Sequence, residues 1–345
     1  MKTNISLLAI LTAVILFLGC TSGPQPEENK TNDTNQTVPP VKIITGEQKN
    51  QTNEANFTQP PPEEPPPPPP EELEYEYKPD QQFGVYFIDV GGPTLHGNAV
   101  LIKKGDLDVL VDAGSAEKGS KVVDFLNAHN VDDIEVLIST DADPRNYGGI
   151  NTVADNFRIE NFWWGDDSFG DQNYSDIVGR MVNSTKDVKK VERGYSMDLN
   201  GMLFEVLNPQ PAPNRFDDIN NDAVVIRITD RNFSLLLTSG IQTGPQGKLI
   251  SEQPNKIKNK IIQAPYYGVG AGTSNIGIFL ITAKPELMII TGSSDDSAIN
   301  GGSREPYKKL MTQYGILWNE TYNNGTLRIT SDGQIYDIRA LGAGQ

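Results

Sequence analysis

Four side chains that could do chemistry lie within six residues: Asp141, Asp143, Arg145 and Asn146, just ahead of the pair Gly148-Gly149. Two carboxylates spaced two apart can hold a hard cation such as Mg²⁺ or Ca²⁺ through oxygen. The same residues also fit a purely local role. Asp143-Pro144 is a good helix N-cap followed by proline at the first helical position. Arg145 can pair with Asp141 or Asp143 and supply positive charge without any metal. Zinc is a different matter, because such a site wants several imidazoles or thiolates in tetrahedral reach. The chain has two histidines, His96 and His129, and one cysteine, Cys20. His129 falls at an expected helix end, where it caps or meets solvent. His96 falls in the loop Gly91-Gly92-Pro93-Thr94-Leu95-His96-Gly97 and reads as an ordinary loop histidine. Asp217-Asp218 and Asp295-Asp296 read as solvated loops.

These residues need a scaffold, and its elements are legible. Phe83 to Asp89 alternates and is β-rich. Strands follow at Ala99 to Lys103 and Asp108 to Asp112, around the turn Lys104-Gly105-Asp106. Lys121 to His129 repeats apolar residues at helical spacing. Ile134 to Ser139 is a short buried strand, and the loop Thr140 to Gly149 opens a second helix. Ile159 to Trp164 is another strand. Further strands are expected at 202–207, 223–229, 233–238, 260–265, 286–291, 326–330 and 334–338, with helices near 175–184, 245–252, 274–282 and 304–314. Strands and helices interspersed in both halves favour two sheets covered by outer helices, an α/β (α+β) four-layer αββα sandwich.

The chain ahead of this has another character. Met1-Lys2 precedes an apolar run from Ile5 to Leu18, then Gly19-Cys20. That is a signal-peptide pattern over residues 1–20, too short for a comfortable membrane span. Phe17-Leu18-Gly19-Cys20 resembles a lipobox, which makes Cys20 the expected lipidation site and puts the chain on the outer face of the cell membrane. Residues 21–80 are rich in Pro, Glu, Asn and Thr and include six consecutive prolines, Pro65 to Pro70. Such a segment cannot bury enough apolar surface to offset chain entropy. It reads as a tether reaching roughly 40 Å if coiled and up to about 190 Å if extended. Residues 81–345 are the folded domain. Beyond the leader, ten Asn-X-Ser/Thr sequons, at Asn29, Asn32, Asn35, Asn50, Asn56, Asn173, Asn183, Asn232, Asn319 and Asn324, suggest surface glycosylation. The net charge of −16 disfavours nucleic acid as a tight partner, because that affinity comes largely from cations neutralising phosphates.

Four segments in order carry a resemblance: Val85-Tyr86-Phe87-Ile88-Asp89-Val90-Gly91; Val109-Leu110-Val111-Asp112-Ala113-Gly114; Asn221 to Ile226 with Leu235 to Gly240; and the stretch from Lys284-Pro285 to Ser331-Asp332-Gly333. Together they resemble the metallo-β-lactamase fold, specifically the extracellular hydrolase-like domain of ComEC-type competence proteins, over about residues 83–338. The resemblance implies a two-zinc hydrolase with a His-X-His-X-Asp-His loop before Gly-Gly. Here that loop places Asp141, Asp143, Arg145 and Asn146 at the four ligand positions. The family's bridging aspartate falls on Gly240, and its His-His-Gly-Ser segment on Tyr266-Tyr267-Gly268-Val269. His96, Asp112, Tyr266 and Tyr267 become the ligand-cleft candidates. Trp163 and Trp164, with the two tyrosines, either line that cleft or pack the core.

The expectation is a catalytically degenerate, surface-displayed binding or scaffolding module with no cofactor and an unknown small-molecule or protein ligand. One alternative is a phosphodiesterase-like hydrolase with an Asp-based site for a divalent cation such as Mg²⁺ or Mn²⁺. Another is an accessory factor in DNA uptake.

Overall fold

The computed structural model describes residues 82–92, 97–165, 170–270, 272, 275–294 and 302–342. All belong to one compact unit within Ile43–Gln345. The leader, Cys20, the tether, His96 and Asp295-Asp296 lie outside the described residues.

Fifteen strands are described: β1 Phe83–Phe87, β2 Val100–Lys104, β3 Leu107–Val111, β4 Ile134–Ser139, β5 Ile159–Trp164, β6 Asp187–Lys190, β7 Ser196–Leu199, β8 Met202–Asn208, β9 Val225–Asp230, β10 Phe233–Leu237, β11 Ile261–Gln263, β12 Leu287–Ile290, β13 Leu317–Glu320, β14 Leu327–Ser331 and β15 Tyr336–Ala340. The helices are α1 Gly119–Ala128, α2 Pro144–Tyr147, α3 Ile150–Asn156, α4 Gln172–Ser184, α5 Thr243–Glu252, α6 Gly277–Ala283, α7 Glu305–Gln313 and α8 Thr321–Asn324. One sheet runs β15-β14-β1-β2-β3-β4-β5-β6, the other β13-β12-β11-β10-β9-β8-β7.

Three apolar layers hold this together, each traceable to strand alternation. Val109 and Val111 point between the sheets while Leu110 points outward under α1, α3 and α4. In the second sheet Leu235 and Leu237 point inward, and Leu236 packs outward with Leu249, Phe279 and Met311 of α5, α6 and α7. Strands covered on both faces must be apolar at every position. That is why the central strands read as unbroken hydrophobic runs and the expected αββα layering is what forms. Each fully buried Leu or Val adds about 1.5–3 kcal/mol relative to exposure.

The sequence reading passes over β6, β7 and β13. All three are sheet edges. β6 is exposed at every residue, and edge strands are often polar because they must discourage further pairing. The Thr140–Gly149 segment carries the short helix α2 before α3.

Candidate functional site

Backbone first fixes the site. Beyond the C-terminal ends of β3, β4, β10 and β11, the chain places Asp112, Thr140-Asp141, Thr238-Ser239 and Tyr266-Tyr267 at one end of the sandwich. Four of these residues adopt left-handed backbone, with φ of +59° at Asp112, +48° at Ser239, +45° at Tyr266 and +57° at Tyr267. Each non-glycine residue held there costs on the order of 1–3 kcal/mol, so surrounding contacts must hold it. Gly148 and Gly149 bring the α2–α3 corner down onto the end of β3. A Cβ on Gly149 would sit 2.1 Å from the Ala113 carbonyl oxygen, and one on Gly148 2.5 Å from the Ala116 nitrogen.

Asp143 caps α2, as its sequence context implies. It accepts from the Arg145 backbone N–H at 2.9 Å and from Arg145 Nε at 2.8 and 2.9 Å, with Arg145 Nη2 closing an ion pair. The guanidinium lies 5.4 Å from the centre of the Tyr267 ring. Burial works against the Arg145 charge, but the Asp143 hydrogen bonds outweigh it and raise the pKa.

Asn146 is the hub. Its Nδ2 donates to both oxygens of Asp141 at 3.0 Å. Its Oδ1 accepts from the Asn98 N–H and from the Tyr267 hydroxyl, each at 3.0 Å. Asn98 Oδ1 accepts from Gln263 Nε2 at 3.0 Å and Thr291 Oγ1 at 2.6 Å. Gln263 Oε1 in turn takes the N–H groups of Thr238 and Ser239, at 3.1 and 3.0 Å. Asn98, Asn146, Gln263 and Thr291 are all buried.

A row of oxygens crosses beside this hub. Asp112 Oδ1 accepts the Thr140 N–H at 2.8 Å, and Asp112 Oδ2 lies 2.7 Å from Thr140 Oγ1. Thr140 Oγ1 lies 2.6 Å from Ser239 Oγ, which donates to Asp141 Oδ2 at 2.9 Å. Asp141 Oδ1 also accepts the Asp143 N–H at 3.1 Å. Burial, then the charge of Asp141, holds Asp112 well above the usual carboxylate range. Burial, then Asp143, pushes Asp141 up to about 7. Tyr267 is raised by burial first and then by Asp143.

The donor set fits a cation poorly. Both Asp141 oxygens face Asn146, Ser239 and the Asp143 amide, and Asp143 is engaged by Arg145. A Cβ on Gly240 would lie 3.1 Å from Asp141 Oδ2 and 3.0 Å from Asn220 Oδ1, so even a methyl group is crowded there. Among the described residues no three His, Cys, Asp or Glu side chains gather as metal ligands. His129 is not among the network's partners. Its Nδ1 meets the Phe125 carbonyl at 2.8 Å and its ring stacks on Phe125 at 3.9 Å, the helix-end role expected.

The structure brings Asp112, Asp141, Asn146 and Tyr267 into one network, with Asp143, Arg145 and Tyr266 beside it. Asp112, Tyr266 and Tyr267 are buried at 1, 4 and 1% exposure. Trp163 is a core residue, edge-on to Tyr195 at 5.2 Å, and Trp164 stacks on Phe162 at 5.4 Å. The sequence reading missed Asn98, Thr140, Ser239, Gln263 and Thr291. Asn98 lies two residues ahead of β2; the other four share one signal, a polar residue at or just beyond the end of an apolar strand, as in Ile138-Ser139-Thr140, Leu237-Thr238-Ser239, Ile262-Gln263 and Ile290-Thr291.

No family model matches the sequence. The uncharacterized protein YcaI of Escherichia coli (strain K12) is 23% identical over 273 residues, which cover 76% of this chain and 32% of that one. The chain thus spans about a third of the length of the curated relative it matches. Among solved structures, the metallo-beta-lactamase fold protein YhfI from Bacillus subtilis is similar with a TM-score of 0.49 and 13% identity, over 73% of this chain and 100% of that one. Igni18, a metallo hydrolase from the archaeon Ignicoccus hospitalis, is similar with a TM-score of 0.46 and 10% identity, over 71% and 98%. CmlA, a diiron beta-hydroxylase from Streptomyces venezuelae, gives 0.48 and 10%, over 74% and 54%. These likenesses concern the fold alone, and no reaction or residue role passes from them to this chain.

Proposed function

We propose that this chain is a surface-displayed, lipid-anchored domain of the metallo-β-lactamase type, akin to the ComEC-type extracellular domain. In this reading the metal-loop positions no longer bind metal, and the domain serves as a binding or scaffolding module. One observation carries the reading: the Asp141 carboxylate is enclosed by Asn146, Ser239 and the Asp143 amide, and Asp143 is taken by Arg145. A metal-activated water needs open coordination positions and ligands free to bind. Here the donors have been turned toward one another. The partner remains a small molecule or protein, approached at the end where Arg145 is 27% exposed.

Elemental analysis of the purified chain tests this directly. We expect no stoichiometric zinc, manganese or iron and no phosphodiester hydrolysis. Stoichiometric metal lost on Asp141→Ala would overturn the reading and restore a hydrolase. The anchoring claim is separate: Cys20→Ala should move the protein from the membrane fraction to the soluble one.

A further inference from the structure

The oxygen row has a proton count that does not close. Asp112 Oδ2, Thr140 Oγ1, Ser239 Oγ and Asp141 Oδ2 make three successive contacts of 2.7, 2.6 and 2.9 Å. Each contact at that length needs one hydrogen between its oxygens. Two hydroxyls provide two hydrogens. If both carboxyls were ionised, one contact would be a bare oxygen–oxygen approach inside a low-dielectric interior.

We propose that this row is a proton-binding site, in which Asp112 carries a carboxylic proton at neutral pH and Asp141 carries the charge. The directions then close. The Asp112 O–H donates to Thr140, the Thr140 O–H to Ser239, and the Ser239 O–H to Asp141. Three hydrogens serve three contacts.

The other partners decide which carboxyl holds the proton. Asp141 receives N–H donors at both oxygens, from Asn146 at 3.0 Å and from the Asp143 amide at 3.1 Å, which favours an ionised group. Asp112 Oδ1 accepts one N–H, from Thr140, and its Oδ2 faces only the hydroxyl. The charged and titratable neighbours are these. From the α2 corner come Asp143, whose negative charge bears more on Asp141 than on Asp112, and Arg145, which offsets that charge by pairing with it. After β11 come Tyr266 and Tyr267, both raised by burial and so neutral. The turn before β9 contributes Asp218, which accepts the Asn220 and Asn221 amides, and Asp222, which accepts the Phe216 and Asp218 amides at 3.0 and 3.3 Å. The site joins the two sheets, since Thr140 follows β4 of one and Ser239 follows β10 of the other. The proposal rests on the reading that no cation sits on Asp141, and elemental analysis tests that reading separately from the proton.

A carboxyl whose pKa is raised by folding contributes stability at low pH, and that contribution is lost as pH rises from its unfolded value near 4 through its folded value. Asp112→Asn provides the test on the full chain. Asn keeps an acceptor for the Thr140 amide and offers a permanent N–H to Thr140 Oγ1. Relative to the variant, the wild-type unfolding constant should rise by up to about tenfold per pH unit from pH 5 through neutrality. Infrared spectra in deuterated buffer at pH 8 give an independent readout. Asp108, Glu135 and Asp141, pushed up to about 6, about 7 and about 7 chiefly by burial, are mostly ionised there. The wild type should show a protonated-carboxyl carbonyl band that Asp112→Asn lacks. Parallel pH profiles, a band surviving in the variant, or no band in the wild type would each overturn the proposal. The wild-type spectrum decides even if the variant fails to fold.

Discussion

The two sheets are tied by buried polar groups at both ends, and the two ties follow opposite rules. At one end Lys104, closing β2, donates to Asp230, closing β9, at 3.1 Å, with side chains 0 and 3% exposed. At the other end sit Asp112, Thr140, Ser239, Asp141 and Asn146. The strands β3 and β10, each five residues, separate the ends by roughly 15 Å of apolar core. The Lys104 tie cancels charge with charge. The Asp112–Asp141 tie brings two like groups together and relies on amides and hydroxyls. A buried opposite pair fails when one partner is removed. A network of neutral donors fails when its most connected member is removed, because each orphaned group then carries its own desolvation cost.

Breaking the ion pair should have the largest effect. Asp230→Ala strands a buried lysine and should cost about 3–5 kcal/mol, read as a lower urea midpoint at unchanged slope. A loss below about 1 kcal/mol would mean that water reaches Lys104. Next comes Asn146→Ala, which leaves the Asn98 amide, the Tyr267 hydroxyl and two Asp141 oxygens short of a partner. Roughly 3 kcal/mol is expected. If it matched a surface substitution, the hub description would be wrong. Gly240→Ala crowds Asp141 and Asn220 and should cost about 1–2 kcal/mol by the same measurement. The smallest change sharpens the contrast: replacing both partners, Lys104→Met with Asp230→Leu, should stay within about 1 kcal/mol of wild type, because apolar side chains need no partner.

How legible each end was follows from the same difference. The fold was readable because strands buried on both faces must be apolar throughout, as Val109 to Val111 and Leu235 to Leu237 are. The cap at Asp143-Pro144 and its pairing with Arg145 were readable because they are local, two residues apart. The row from Asp112 to Asp141 was not, since it joins positions 99 residues apart through Thr140 and Ser239. Lys104 reads from sequence as part of a turn, and only the packing of the sheet that holds β2 against the sheet that holds β9 brings Asp230 to it. Trp163 and Trp164 show the converse: suited to a ligand cleft in composition, they serve packing, because β5 runs between β4 and β6 and directs Trp163 into the space between the sheets.

The position of β1 has a mechanical side. It enters the domain at Phe83 yet lies inside its sheet, antiparallel to β14 on one side and β2 on the other. Tension arriving from residues before 82 along this strand would load both ladders in shear, with their hydrogen bonds sharing the force rather than unzipping one after another. If the domain is held by its N-terminal side, as proposed, its pulling resistance depends on how fast those ladders rupture, a rate property distinct from equilibrium stability.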